Sequence, residues 1–289
     1  MTLLSTTIAN NGADGLVLLR SSATFTSGVL DRNSGFGVKA DEQSRVTLVS
    51  SSVTGHPMNA ISLSDSSADV RDTKIENNQG RGIDSVEGTV TLRATQITGQ
   101  AGEGIVLADS KADIRTSNID NNGPSGLIST NSTVSLADST VNGHSSDGIS
   151  LTDSSLDVAN GQINQNGGVG ITASSATIGL TTTTIANNNG DGVFLRSSSI
   201  DVLEQSSIAD NNGRGIDAES STVTLSNSTV LNHPSDALYL INSPASVGNS
   251  RLENNGGWGI FAENSTAVRM FNSTVSTNTN GGLRLSSAA

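Results

Sequence analysis

A register of about 22 residues repeats along the whole chain and constrains the fold more than any other feature of the sequence. Aligned on a recurrent Gly-Ile pair, the repeats differ in length by one residue at most. A repeat of this length predicts stacked units, here called coils, because one unit is too short to bury a core alone. The thirteen coils begin at Met1, Ala23, Val46, Ala68, Val90, Ala112, Val134, Leu156, Ile178, Ile200, Val223, Ala245 and Val268.

Three short β-strands are predicted in each coil. Counting from the first residue of a coil, positions 1 and 3 are apolar around a polar residue, as in Val46-Thr47-Leu48, and positions 8 and 16 are aliphatic throughout. Such alternation is typical of strands with one buried face, and the intervening Asn, Gly, Ser and Asp favour turns. Stacking each strand on its equivalent one coil later, about 4.8 Å away, pairs the backbone groups. We therefore predict an all-β parallel solenoid of about 13 coils.

Position 11 predicts a ladder of polar side chains along the coils. All three histidines of the chain fall in this column, which otherwise holds asparagine and one glutamine. Histidines four coils apart, roughly 19 Å at the strand spacing, are too far apart to share a metal. Stacked amide side chains form hydrogen-bonded ladders, so we interpret the column as structural and predict neither a metal nor a cofactor. Its members are Asn11, Asn33, His56, Asn78, Gln100, Asn122, His144, Asn166, Asn188, Asn211, His233, Asn255 and Asn278.

Carboxylates also follow the register. Position 2 of alternate coils carries Asp69, Asp113, Asp157 and Asp201. Position 14 carries Asp14, Glu103, Asp147, Asp191 and Asp236, with Arg81 and Arg214 between some of them. A calcium site needs six to eight oxygens that converge on one point, whereas these columns are regular and spread out. We interpret them as structural.

Composition excludes several classes of partner. The net charge of −12 argues against nucleic acid and anionic membranes. The sequence contains no apolar run long enough to span a bilayer, so we expect no membrane insertion by this segment. We expect residues 1–289 to form a single solenoid domain. Neither end supplies a polar capping segment, so we expect a fragment of a longer chain, with flanking coils or domains covering both ends.

A row of arginines departs from the register. Position 4 holds Arg71, Arg93 and Arg115 in three successive coils and is basic nowhere else. Three like charges on adjacent strands repel unless solvent or an anion screens them. The row is therefore a candidate site for a sulfated or carboxylated glycan, which guanidinium groups bind in a bidentate manner. Asp72 alternatively makes the row a surface cluster of ion pairs.

An aromatic group near the end of the sequence is the second candidate contact surface. Tyr239 and Phe261 share the outward position 17 on adjacent coils, and Trp258 lies in the same stretch. An exposed apolar patch predicts a contact. The patch stacks sugars, or it packs against further coils that follow.

The 22-residue coil, its three short strands, the asparagine column and the Gly-Ile turn resemble the right-handed parallel β-helix superfamily, the pectate-lyase-like solenoids. The resemblance covers the whole chain. It implies a right-handed parallel β-helix, and it implies little about function, since the superfamily includes polysaccharide lyases, hydrolases, epimerases, phage tailspikes and autotransporter passengers. In its enzymes, long loops wall a cleft. Here every coil is uniform, so no catalytic residue carries over.

The uniform coils are most similar to a bacterial autotransporter or adhesin passenger. This resemblance predicts a non-catalytic extracellular β-helix at the bacterial cell surface, which presents a ligand-binding surface or acts as a stalk. The expected partner is a host or matrix glycan or protein. The alternative is a carbohydrate-active enzyme on an acidic glycan. An ice-binding solenoid needs a long threonine column, and position 7 is threonine in only some coils.

Overall fold

The computed structural model describes residues 1–265 and 267–286, and every regular element in this part of the chain is a β-strand. Three strands recur in each coil, so the protein is an all-β parallel solenoid of about 13 coils, as predicted. The chain divides into two compact units, residues 1–145 and 146–289. In the described part, no helix has the length and apolar character that a membrane crossing requires.

The first unit holds twenty strands. They are β1 (Thr2–Leu4), β2 (Thr7–Ala9), β3 (Leu16–Leu19), β4 (Ser22–Thr26), β5 (Val29–Asp31), β6 (Val38–Asp41), β7 (Arg45–Val49), β8 (Ser52–Thr54), β9 (Ile61–Ser64), β10 (Ser67–Arg71), β11 (Lys74–Glu76), β12 (Ile83–Val86), β13 (Thr89–Arg93), β14 (Gln96–Thr98), β15 (Ile105–Ala108), β16 (Lys111–Arg115), β17 (Asn118–Asp120), β18 (Leu127–Thr130), β19 (Thr133–Ala137) and β20 (Thr140–Asn142).

The second unit holds nineteen strands. They are β21 (Ile149–Thr152), β22 (Ser155–Ala159), β23 (Gln162–Asn164), β24 (Ile171–Ser174), β25 (Thr177–Thr181), β26 (Thr184–Ala186), β27 (Val193–Arg196), β28 (Ser199–Leu203), β29 (Ser207–Ala209), β30 (Ile216–Glu219), β31 (Thr222–Ser226), β32 (Thr229–Leu231), β33 (Leu238–Ile241), β34 (Ala245–Gly248), β35 (Arg251–Glu253), β36 (Trp258–Glu263), β37 (Val268–Phe271), β38 (Thr274–Ser276) and β39 (Gly281–Ser286).

Every third strand belongs to the same sheet, so each unit is built from three parallel sheets. Sheet A contains β1 and every third strand after it, sheet B those counted from β2, and sheet C those counted from β3. Equivalent residues of successive coils pair directly, as Val70 does with Leu92 and Leu92 with Ile114. Because the pairing is in register, each position of the coil becomes a column of side chains on one face of a sheet.

The core consists of the aliphatic columns predicted from the sequence. Ile75, Ile97 and Ile119 of position 8 are fully buried, and so are Ile83 and Ile105 of position 16. Strand side chains alternate between the two faces of a sheet, so the intervening polar residues point outward. Burying one such isoleucine stabilises the fold by about 1.5–3 kcal/mol relative to an exposed position.

Position 15 requires a small residue because neighbouring coils approach closely there. A Cβ atom added to Gly82 would lie 2.5 Å from the carbonyl oxygen of Gly104 in the next coil. The same addition to Gly104 would place carbon 2.5 Å from Ile119 Cγ2. These distances are shorter than van der Waals contact, so a side chain forces the coils apart.

The corners between sheets turn through residues with positive φ. Most are polar residues that accept this conformation more readily than β-branched ones do. Three coils are one residue longer than the others, and in two of them the extra residue enters a corner: Glu42 and Gln43 are both left-handed, with φ of 54° and 61°, and so are Glu204 and Gln205, with φ of 50° and 63°. The register of the next strand is therefore preserved.

Candidate functional site

The outward face of β7, β10, β13 and β16 in sheet A carries the arginine row. Arg71, Arg93 and Arg115 end three successive strands and pair directly with one another along the sheet. Their side chains are about half exposed, at 50%, 48% and 51%. The row ends on both sides at uncharged residues, because Arg71 pairs with Val49 on one neighbouring strand and Arg115 pairs with Ala137 on the other. The three arginines therefore lie on one face of the sheet, and their role as a binding site stays a prediction.

Two aspartates two residues earlier on the same strands neutralise part of this charge. Arg71 donates from Nη2 to Asp69 Oδ2 at 2.7 Å, and Arg115 donates from Nε to Asp113 Oδ1 at 2.9 Å. Arg93 Nη2 lies 3.6 Å from Asp113 Oδ2. The hydrogen bond from Arg71 to Asp69 and the negative charge of Asp69 raise the pKa of the Arg71 guanidinium. Residues i and i+2 of a strand share a face, which explains the pairing.

Asp72 is not the ion-pair partner of Arg71. It lies exposed at the corner after β10, with a left-handed φ of 49°. Among the ion pairs of the described residues, Asp72 has none, and Arg71 pairs with Asp69 instead. The alternative of an ion-pair cluster around Asp72 is therefore corrected in its partner: the corner ends the strand before Asp72, which adds only its charge to that of Asp69 in raising the pKa of the Arg71 guanidinium.

The arginine face, defined as Arg45, Asp69, Arg71, Arg93, Asp113 and Arg115, keeps an excess of positive charge. Its four arginines face two aspartates, which leaves two positive charges in a chain of net charge −12. Arg45 lies 4.0 Å from Asp69 and is also largely exposed. A shallow depression of about 260 Å³ opens beside Arg45, Asp69 and Thr91. Such a face can bind an extended anion along the column of arginines.

The asparagine column forms the predicted ladder in both units. In the first unit, Asn78 Nδ2 donates to Gln100 Oε1 at 2.9 Å, and the backbone N–H of Gln100 donates to Asn122 Oδ1 at 3.2 Å. In the second unit, Asn188 Nδ2 donates to Asn211 Oδ1 at 2.8 Å. The ladder satisfies buried polar groups at the turn.

The three histidines are buried members of this ladder. His56 and His233 each lie between two asparagines, and His144 lies 2.9 Å from the carbonyl oxygen of Ile119 through Nε2. Burial lowers the pKa of all three imidazoles, that of His233 to about 4. Each ring is therefore neutral at pH 7, and its nitrogens already have partners.

The aromatic residues stack on one another rather than presenting their faces. The rings of Tyr239 and Phe261 lie 4.9 Å apart and nearly parallel, at 14°. The guanidinium of Arg214 covers Tyr239 at 3.5 Å from the ring centroid, and that of Arg284 lies 5.2 Å from Phe261 and 6.0 Å from Trp258. All three rings are half-buried. The two expectations for this patch, sugar stacking and contact with further coils, stay predictions, and the stacked faces of Tyr239 and Phe261 are already occupied.

Position 14 carboxylates hold the turn of the following coil. Asp14 Oδ1 accepts the backbone N–H of Phe36, and Asp147 Oδ1 accepts that of Val169, both at 2.8 Å.

In residues 1–265 and 267–286, no group of three or more His, Cys, Asp or Glu side chains is arranged to hold a metal ion.

Two functional groupings were not predicted from the sequence. Asp69 and Asp113 were interpreted as a structural column of their own, although the spacing Asp-x-Arg on a strand brings each beside the arginine row. Asp217, a buried carboxylate paired with Arg214, was not predicted at all. The available signal was the tetrapeptide Arg-Gly-Ile-Asp, which occurs at residues 81–84 and again at 214–217.

Comparisons with known proteins agree with this architecture. The family model described as "Right handed beta helix region" matches residues 1–120, 42–183 and 167–289. No curated protein sequence matches the chain significantly.

Solved β-helix structures superpose on most of the chain. The A-module of a mannuronan C-5 epimerase from Azotobacter vinelandii has a TM-score of 0.62 and 12% identity, over 93% of this chain and 91% of that one. A mutant of a periplasmic alginate epimerase has a TM-score of 0.54 and 11% identity, over 92% and 78%. The Dettilon tailspike protein has a TM-score of 0.53 and 10% identity, over 88% and 62%. At these identities, the likeness concerns the fold alone.

Proposed function

Because the chain belongs to the right-handed β-helix family, we propose that it is a non-catalytic glycan-binding β-helix that acts outside the cell or in the periplasm. Its ligand is an acidic polysaccharide, which lies along the arginine face. The observation that carries this proposal is the in-register row of half-exposed guanidinium groups, with more arginines than aspartates to neutralise them.

The geometry of the arginine face favours a long ligand over a compact one. One guanidinium recurs on every strand, about 4.8 Å from the next, so the positive charges form a line across the strands. A polymer with one anionic group per unit can contact several of them at once. Each contact is weak when exposed, and linked contacts add through multivalency. Two of the structural neighbours are named as epimerases of mannuronan and of alginate, polymers that carry carboxylates, and this supports the choice of ligand.

The groups that the arginine face carries support binding without catalysis. Its aspartates, Asp69 and Asp113, are engaged by Arg71 and Arg115. The histidines are buried in the ladder, and the single tyrosine, Tyr239, lies on sheet C of the other unit. General acid–base catalysis needs a positioned proton donor or acceptor within hydrogen-bond reach of the substrate. Both carboxylates of the arginine face are thus engaged by guanidinium groups. The exposed Asp72 lies beside the face, at the corner after β10, and is the acid on which the alternative of a carbohydrate-active enzyme rests.

The finer form of the proposal is a bacterial surface adhesin, in which this β-helix is the binding part or the stalk. The support is the uniform length of the coils, which differ by one residue at most. Coils of uniform length carry no long loops that could wall a cleft, and this suits adhesion along a polymer better than cleavage within a cleft.

A binding titration against polymannuronate, with neutral dextran as the comparison ligand, tests the proposal. We expect salt-sensitive binding to polymannuronate. The variant with Arg71→Ala, Arg93→Ala and Arg115→Ala is expected to raise Kd at least about tenfold. Arg251→Ala is the matched control, because Arg251 is also exposed and also pairs with an acid two residues away, Glu253.

Two results contradict the proposal. Equal affinity of the triple variant and the parent for polymannuronate removes the arginine face as the site. Epimerisation, cleavage or elimination of the polymer by the purified protein, followed by proton NMR, removes the non-catalytic assignment and leaves the alternative of a carbohydrate-active enzyme.

A further inference from the structure

Two coils carry the same tetrapeptide, Arg-Gly-Ile-Asp, in two different surroundings. In the first unit it spans residues 81–84, and in the second unit it spans residues 214–217. In both, the arginine Nη1 forms an ion pair with the aspartate three residues later, Arg81 with Asp84 and Arg214 with Asp217. The hydrogen-bond partners of the two copies can therefore be compared within one chain.

In the first unit, an asparagine of the preceding coil completes the motif. Asn59 Oδ1 accepts the backbone N–H of Arg81 at 2.9 Å, and Asn59 Nδ2 donates to Asp84 Oδ2 at 3.0 Å. Asp84 Oδ1 receives the guanidinium of Arg81 at 3.1 Å. Both carboxylate oxygens of Asp84 therefore have donors.

In the second unit, Asp191 occupies the position of Asn59. Its Oδ1 accepts the backbone N–H of Arg214 at 2.6 Å, as Asn59 Oδ1 does for Arg81. An ionised carboxylate has no N–H or O–H with which to replace the donor Nδ2 of asparagine. Asp217 Oδ1 is the one buried side-chain polar atom without a hydrogen-bond partner among those of residues 1–265 and 267–286. Asp217 as a whole is only 6% exposed.

We propose that Asp191 and Asp217 share one proton, so that a carboxyl–carboxylate hydrogen bond takes the place of the amide–carboxylate hydrogen bond between Asn59 and Asp84. The shared proton supplies the donor that Asp217 Oδ1 lacks. It also removes one of two negative charges that face each other in a partly buried site, where like charges repel strongly. The pair then titrates as a unit.

The charged groups around the pair favour a single negative charge. Arg214 contributes one positive charge, through its ion pair with Asp217, and its ring contact with Tyr239 fixes the guanidinium in place. Glu219, on the same strand as Asp217, adds negative charge and is itself paired with Arg196.

The remaining acid of this column binds the turn of the following coil. Asp236, at position 14 of the next coil, accepts the backbone N–H of Trp258. Burial raises the pKa of both Asp217 and Asp191, and the charges of Asp191 and Glu219 raise that of Asp217 further, against the lowering effect of Arg214.

The shared proton makes the second unit sensitive to rising pH. Because the folded state holds a proton that unfolded aspartates have released, its stability falls as pH rises from the ordinary aspartate pKa through the raised one. Asp191→Asn restores the arrangement seen at Asn59. This variant is expected to keep its unfolding midpoint at pH 8, where the midpoint of the parent has fallen.

Carbon-13 NMR of the aspartate carboxyl groups tests the proposal on the full chain. We expect a carboxyl resonance of the Asp191–Asp217 pair to titrate above the range of the other aspartates. In Asp191→Asn this titration is expected to disappear. Asp236→Asn is the matched control and is expected to leave the titration intact. Asp236 also holds position 14, but the coil that follows it carries Phe261 where the coil that follows Asp191 carries Asp217, so Asp236 has no carboxylate with which to share a proton there.

The reciprocal variant guards against a failure of Asp191→Asn to fold. Asn59→Asp is expected to create a second high titration in the first unit and a loss of stability at pH 8. If Asp191 and Asp217 titrate with the other aspartates in the parent protein, or if Asp191→Asn leaves the high titration in place, the shared proton is disproved.

Discussion

The imidazole Nε2 of His233 lies 3.2 Å from the amide nitrogen of Asn211, so the histidine accepts a hydrogen bond there. Its other nitrogen, Nδ1, lies 3.0 Å from the side-chain oxygen Oδ1 of Asn255 and donates to it. The network thus assigns the neutral tautomer with the proton on Nδ1. Burial is the main cause that lowers the pKa of His233, against the raising effect of the hydrogen bond to Asn255. A second proton on Nε2 would also point at the side-chain N–H donor of Asn211.

Acidification is expected to destabilise the protein through His233. Its pKa falls from 6.5 to about 4 in the folded state, so the unfolded chain binds more protons between these values. The contribution is fully present above pH 6.5 and is lost as pH falls towards 4, by about 3 kcal/mol at most. Denaturant unfolding of the parent and of His233→Asn, followed by circular dichroism, measures it. Equal slopes with pH for the two proteins would contradict the assignment.

Removing one rung of the ladder is expected to cost far more than removing an exposed asparagine. Asn78 Oδ1 accepts both the backbone N–H and the Nδ1–H of His56, at 2.9 and 3.0 Å. Asn78→Ala leaves two buried donors unpaired and is expected to lower the free energy of unfolding by about 2–4 kcal/mol. Asn118→Ala, on the exposed face of β17, is expected to change it by less than about 0.5 kcal/mol. Equal effects in urea unfolding would remove the energetic role of the ladder.

Close approach of neighbouring coils is expected to make position 15 intolerant of larger residues. A Cβ atom on Gly104 would lie 2.5 Å from Ile119 Cγ2 and 2.6 Å from the carbonyl oxygen of Gly126. Gly104→Ala is expected to destabilise by about 1–3 kcal/mol. Gly12→Ala is the control, because nothing lies within 4 Å of its added carbon. The melting temperature is the measurement, and a neutral Gly104→Ala would show that the coils can separate at little cost.

The stacked pair Tyr239–Phe261 is expected to stabilise the second unit. Tyr239→Leu removes the aromatic pair and the guanidinium contact from Arg214, and its expected cost is about 1–2 kcal/mol. Phe271→Leu is the comparison, since Phe271 is 53% exposed and stacks on no ring in the described part of the chain. A loss of polymannuronate binding in Tyr239→Leu, without loss of stability, would instead identify a sugar-stacking surface.

The fold could be predicted because each column of the register repeats a local rule thirteen times. The aliphatic residues of position 8 and the amides of position 11 need only their equivalents one coil away, and the period supplies these. Repetition therefore turns weak local signals into a specified architecture, strand by strand.

The details of the candidate sites depend on contacts that the register does not encode. Arg71 pairs with Asp69 rather than with adjacent Asp72 because a left-handed corner ends the strand between Arg71 and Asp72. Arg214 reaches Tyr239 from position 14 of the preceding coil, which requires one particular side-chain conformation. Sequence proximity and column membership predict neither contact.

The paired left-handed residues Glu42–Gln43 and Glu204–Gln205 have a consequence for protein engineering. At each corner the chain takes up an added residue, and the strands that follow, β7 and β29, still pair in register with the preceding coil. The corner thus uncouples the length of a connection from the geometry of the sheets. Peptides grafted at these two corners should be displayed without disturbing the scaffold, and the same freedom offers a route by which a smooth β-helix acquires loops that enclose a substrate.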